Sequence, residues 1–193
     1  MKENQSAKPS SVIFTVGHST RTLEEFVEIL KAYGMLRIVD IRTIPRSRHN
    51  PQFNRESLSK FLRGRHINYR HMKALGGLRH ARVDSPNQGW RNASFRGFAD
   101  YMQSPAFEDA LQKLIELGTQ KPTAIMCAEA VPWRCHRSLI GDALTARGIR
   151  VQDILSRSTA KLHALSSMAK VQGTRITYPG EKFVRGPEPS NET

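Results

Sequence analysis

Apolar positions along the chain follow two alternating rhythms. Short β-branched and apolar runs predict five strands: VIFTVGHS at 12–19, LRIVDIR at 36–42, INYRHM at 67–72, TAIMCAE at 123–129 and IRVQDIL at 149–155. Between these runs apolar residues recur every three or four positions, which is helical spacing. Leu23, Phe26, Leu30 and Tyr33 share one face, Leu58, Phe61 and Leu62 a second, and Phe107, Leu111, Leu114 and Ile115 a third. Thr22 followed by Glu25 reads as a capping box, and Gly34 as that helix's stop. A second helix is entered at Asn54 and closed by Gly64; a third starts at Ser104-Pro105 and is expected to stop at Gly118. CHRSLIGDALTARG predicts a last helix ending at Gly148, and FADYM a short helical turn.

Strands alternating with helices predict the α/β class: a single Rossmann-like three-layer domain over residues 12–178, with a mainly parallel sheet of about five strands. Residues 1–11 are expected to form a flexible lead-in and residues 179–193 a disordered tail. From Lys73 to Gly97 no periodicity persists, so a long functional or mobile loop is expected there. No run of 18 apolar residues occurs and MKENQSAKPSS lacks an apolar core, so neither a membrane span nor a signal peptide is expected. With two cysteines, the reading is a cytoplasmic protein with free thiols.

Charge changes the picture. The 193 residues carry 30 Lys and Arg against 17 Asp and Glu, a formal net charge of +13. The excess is concentrated: Arg42 to Arg82 holds eleven Lys and Arg, four histidines and one acid, Glu56. Such a field gathers polyanions or phosphorylated molecules, so nucleic acid or a phosphorylated small molecule is the expected partner. A solvated basic face is the alternative. GWRNASFRGF interleaves Trp90, Phe95 and Phe98 with Arg91 and Arg96, a pattern suited to stacking on bases or on a planar ligand, or to anchoring the loop on the core.

Candidate chemistry gathers where open α/β sheets bind ligands, beyond the carboxyl ends of the strands. The first strand brings His18 and Ser19 there, the second Asp40 and Arg42, the third Tyr69 and His71, the fourth Cys127 and Glu129. CAEAVPWRCHR then adds Arg134, Cys135, His136 and Arg137 between a strand and a helix start, a geometry that favours anions and acidifies thiols. The Cys127-to-Arg134 spacing, C-x6-R, resembles only loosely the loops of cysteine-dependent phosphatases and sulfurtransferases. A reversible Cys127–Cys135 disulfide and a structural role for both thiols stay open. C-x7-C-H is not standard zinc spacing, and no metal or other cofactor is expected.

TVGHSTRTLEEF, VDIRTIPRSRHNPQF, YRHMKALGGLR, GWRNASFRGFADYM and CAEAVPWRCHRSLIGDAL together resemble the bacterial and archaeal family called domain of unknown function 488, from about Ile13 to Tyr178. The resemblance implies a compact α/β domain and no established reaction. It places the family's motif positions on His18, Ser19, Asp40, Arg42, Pro45, Tyr69, His71, Gly76, Gly77, Cys127, Glu129, Cys135, His136 and Arg137.

The leading expectation is therefore an enzyme acting on a phosphate-bearing substrate, nucleic acid or a nucleotide. Cys127 is its candidate nucleophile, and Glu129, His18, His71, Asp40 and Cys135 are the other catalytic candidates. Ser19, Arg42, Tyr69, Trp90, Arg91, Arg96, Arg134, His136 and Arg137 are the candidate binding residues. The alternatives are a non-enzymatic nucleic-acid-binding protein with structural cysteines, and a thiol redox sensor using Cys127 and Cys135.

Overall fold

The computed structural model describes residues 12–180, so the expected lead-in at 1–11 and nearly all of the tail expected at 179–193 lie outside the described residues. The chain runs β1 (Val12–Gly17), α1 (Leu23–Ala32), β2 (Arg37–Asp40), α2 (Arg55–Arg63), β3 (Asn68–His71), α3 (Ala93–Tyr101), α4 (Pro105–Gln120), β4 (Thr123–Cys127), α5 (Arg137–Thr145) and β5 (Arg150–Ile154). Three short strands follow: β6 (Ala160–Leu162), β7 (Lys170–Gln172) and β8 (Arg175–Thr177).

The main sheet has six strands in the order β3-β2-β4-β1-β5-β6, and every pairing is parallel except β5 with β6. β7 and β8 form a separate antiparallel pair. The sequence predicts about five strands; β6 is the sixth, and all three late strands are missed because each is three residues long and largely solvent-facing.

Alternation along the central strands builds a core on each face. Val16, Ile38, Ala124, Met126 and Ile154 meet Phe26 and Leu30 of α1 and Leu58 and Leu62 of α2. Ile13, Val39, Ile125 and Val151 meet Phe98 of α3, Phe107, Leu111 and Leu114 of α4, and Leu139 and Ile140 of α5. The result is three layers, helix–sheet–helix, as the strand–helix alternation predicts. Among the described residues no helix is long and apolar enough to cross a membrane.

Local signals act as their chemistry requires. The Thr22 hydroxyl accepts the Glu25 N–H while the Glu25 carboxylate accepts the Thr22 N–H, a complete capping box. Ser104 caps α4 by accepting the Phe107 N–H. Two expectations fail. α4 runs through Gly118 to Gln120, because that glycine is a packing site: a Cβ there would lie 2.9 Å from Ile13. The loop expected over 73–97 ends at Asn92, whose side chain accepts the Ser94 and Phe95 N–H groups and starts α3 at Ala93, inside the aromatic cluster.

Candidate functional site

The loops leaving β1 and β4 diverge, one to α1 on one face and one to α5 on the other. This is the switch point at which open α/β sheets bind ligands. The β4 loop crosses the end of β1 so closely that a Cβ on Gly17 would lie 1.8 Å from the Glu129 carbonyl. His18 and Ser19 donate backbone N–H groups to the Cys127 and Ala128 carbonyls and tie the two strand ends together. Ser19 sits at φ 53, in the left-handed region that non-glycine residues rarely occupy. Beyond these ends lies a cavity of about 700 Å³ whose walls include His18, Ser19, Arg42, Cys127, Glu129 and Arg134.

The reactive groups converge on one wall. The sulfurs of Cys127 and Cys135 and a ring nitrogen of His136 lie within 4.8 Å of one another, and both cysteines are free and buried. His136 Nε2 donates to the Leu75 carbonyl at 3.0 Å, and Nδ1 lies 3.7 Å from Cys135 Sγ. Gly77 makes room for that ring: a Cβ there would lie 2.4 Å from Nδ1. The Arg137 N–H, at the start of α5, points at Cys135 Sγ over 3.5 Å.

The two thiols titrate as a pair. Hydrogen bonding from Cys135 holds Cys127 well below the ordinary thiol range; burial opposes this, and His136 and the Ala128 N–H reinforce it. Cys135 is pushed up by Cys127 and by burial. The two opposed shifts make Cys127, which lines the cavity, the more acidic thiol of the pair. The same three atoms form a donor set of the kind that holds thiophilic metal ions, with the imidazole oriented by a backbone carbonyl.

Several predicted residues lie in the supporting frame and do not face the cavity as free groups. Asp40 is fully buried and accepts from Arg42 at 2.9 and 2.6 Å and from the Tyr69 hydroxyl at 2.7 Å. Arg42 borders the cavity, yet its guanidinium is committed to Asp40, the Phe53 carbonyl and His18 Nε2. His18 donates through Nδ1 to the Ser19 carbonyl and stacks on Phe53, and burial pushes its pKa down to about 4. It is a neutral, fully engaged ring with no proton to exchange near neutrality. His71 donates to the Arg42 carbonyl and is not part of the cavity wall.

Arg137 departs most from expectation. It is completely buried and donates to the Glu129 and Ala130 carbonyls, so it shapes the β4 loop and does not reach a ligand. Trp90 lies against Phe95 and Tyr178, Arg96 donates to the Trp90 carbonyl, and Arg91 is exposed away from the cavity.

The cations that do face the cavity are Arg134 and Arg46, both exposed and with guanidiniums that make no hydrogen bond to the described residues. Arg46 was not singled out by sequence reasoning; its signal was dispersed among the eleven basic residues of the 42–82 run. Thr43, Asn50 and Ser94 add polar groups to the same walls and had no sequence signal at all.

Residues 22–144 match the family described as Domain of unknown function DUF488. The chain belongs to that family. No curated protein and no solved structure matches it. His18, Asp40, Arg42, Tyr69 and Arg137 hold the strand ends and the β4 loop in place, while Cys127, Cys135, His136 and Gly77 build the reactive wall.

Proposed function

We propose that this member of the DUF488 family is an enzyme that acts on a phosphate-bearing substrate through a covalent intermediate on Cys127. The observation that carries the reading is the pairing, in one cavity, of the Cys127–Cys135–His136 cluster with two exposed guanidiniums, Arg46 and Arg134. Those cations are the groups available to hold the anion, and each charge-assisted contact supplies orientation as well as affinity. The Cys127 sulfur bonds to the electrophilic centre, and the bond from that centre to the leaving oxygen breaks. Glu129, the one carboxylate on the cavity wall, gives that oxygen its proton. Glu129 then takes a proton from water, which attacks the same centre and releases Cys127. Cys135 and His136 hold the thiolate; Arg42, Asp40 and Tyr69 hold the strand ends.

The test is alkylation of the intact protein with iodoacetamide at neutral pH, followed by peptide mass mapping. Cys127 is expected to react well before Cys135, to be protected by millimolar inorganic phosphate, and to react more slowly in Cys135→Ser. Labelling at the rate of an unperturbed thiol, with no effect of phosphate, would end the proposal. One observation favours a second reading, the Cys127–Cys135–His136 donor set. One equivalent of zinc on protein purified from unsupplemented cells would make Cys127 a ligand and remove it as nucleophile.

A further inference from the structure

A second cavity, of about 430 Å³, opens beside the first and has a different character. Trp90, Pro132, Trp133, Leu162 and Ser138 are among its walls, with Lys161 at its edge. The two cavities share a partition built twice over. On the 3-10 turn Pro132–Arg134, Trp133 belongs to the second cavity while the next residue, Arg134, belongs to the first. Across from it, Trp90 lines the second cavity and its ring partner Phe95, 4.9 Å away, lines the first.

Trp133 is 64% exposed, an unusual placement for the largest apolar side chain. Its support is fixed. The Cys135 N–H closes the turn onto the Pro132 carbonyl at 2.9 Å, and the buried Arg137 pins the preceding Glu129 and Ala130 carbonyls. A solvent-facing indole on a turn held in this way is a stacking platform. Trp90 adds a second indole to the cavity, its Nε1 buried and without an acceptor among the described residues. A planar base answers a stacking platform of this kind.

We infer that the phosphate-bearing ligand is a nucleotide unit, its phosphate on Arg134 and Arg46 in the first cavity and its base against Trp133 in the second. This rests on the reading of the first cavity as a phosphate site. A free nucleotide and a nucleotide within a single strand present the same chemistry to the two cavities.

Calorimetric titration of the full-length protein with ribose phosphate, adenosine monophosphate and a short single-stranded oligonucleotide tests it. Adenosine monophosphate is expected to bind about tenfold more tightly than ribose phosphate, within the range of one base stacked on an aromatic ring. Trp133→Ala removes that advantage and leaves ribose phosphate binding unchanged, Trp133→Phe keeps most of it, and Arg134→Ala weakens both ligands alike. Equal affinity for adenosine monophosphate and ribose phosphate overturns the base site while leaving the phosphate site standing. Binding of neither overturns both. An oligonucleotide that binds more tightly than the mononucleotide, with a steep loss of affinity in salt, assigns the unit to a strand; the reverse order assigns it to a free nucleotide.

Discussion

His163 has the most exacting electrostatic environment in the described fold, and its titration should be visible in stability. The ring is wedged between two carboxylates, with Nδ1 2.9 Å from Asp153 of β5 and Nε2 3.0 Å from Asp142 of α5. Those carboxylates are themselves held: Asp153 by the Thr15 hydroxyl at 2.6 Å, Asp142 by the Tyr178 hydroxyl at 2.8 Å and the Ser166 N–H at 3.1 Å. Burial alone would lower the imidazole pKa, but the two carboxylates outweigh it and raise it to about 9. The folded value lies above the unfolded one, so folding takes up a proton. The stabilisation is complete below the unfolded pKa of about 6.5 and is lost as the pH rises through the folded value.

Against an ordinary value of 6.5, a pKa of about 9 corresponds to about 3 kcal/mol. Removing the cation outright, as in His163→Gln, strands two buried carboxylates and should cost about 3–5 kcal/mol near neutral pH. The assay is guanidinium unfolding of the wild type and of H163Q at intervals from about pH 6 to about pH 10. Wild-type stability should fall by about 3 kcal/mol more than the variant's over that window, because titrations remote from the Asp142–His163–Asp153 cluster are common to both proteins and cancel. Parallel pH profiles for the two proteins would refute the reasoning and show that His163 is neutral in the fold.

Three further expectations follow from packing and charge. Gly77→Ala puts a methyl 2.4 Å from the His136 ring, so it should displace the imidazole, slow Cys127 alkylation and lower stability by about 1–3 kcal/mol; unchanged alkylation would separate His136 from the thiolate. Arg42→Ala leaves Asp40 buried without its cation and should cost about 3–5 kcal/mol in chemical unfolding, whereas Arg46→Ala should leave stability within about 0.5 kcal/mol and weaken phosphate protection of Cys127. Equal stability losses in the two variants would mean that the division between frame and cavity is misplaced. Thr22→Ala breaks the capping box of α1 and should lower the unfolding free energy by about 1 kcal/mol with no change in thiol reactivity.

Much of the fold was legible because its signals are local. Strand runs, the Thr22 and Ser104 caps and helical apolar spacing depend on neighbours within four residues, and each placed its element within a residue or two. Gly118 and the start of α3 were misread for opposite reasons. Gly118 reflects contact with Ile13, 105 positions away and invisible to spacing, while Asn92 was a cap signal masked by the polar stretch around it. The late strands β6 to β8 escaped because three residues are too short a run to show a period, and at most one of them in each strand, such as Ile176 of β8, turns inward.

At the site, the order of residues is enough to say which types finish each strand, and the parallel topology brings those ends together. It is not enough to say which side chains face a ligand. Asp40, Arg42, Tyr69, His18 and Arg137 look as reactive in sequence as Cys127 does. In the fold their polar groups satisfy one another or backbone carbonyls, because charge buried at a strand end must be paired to be tolerated. Arg46 and Arg134 stay available because their loops project them into solvent. That division between paired frame and unpaired cavity wall is a property of three-dimensional neighbours, which residues far apart in the chain supply.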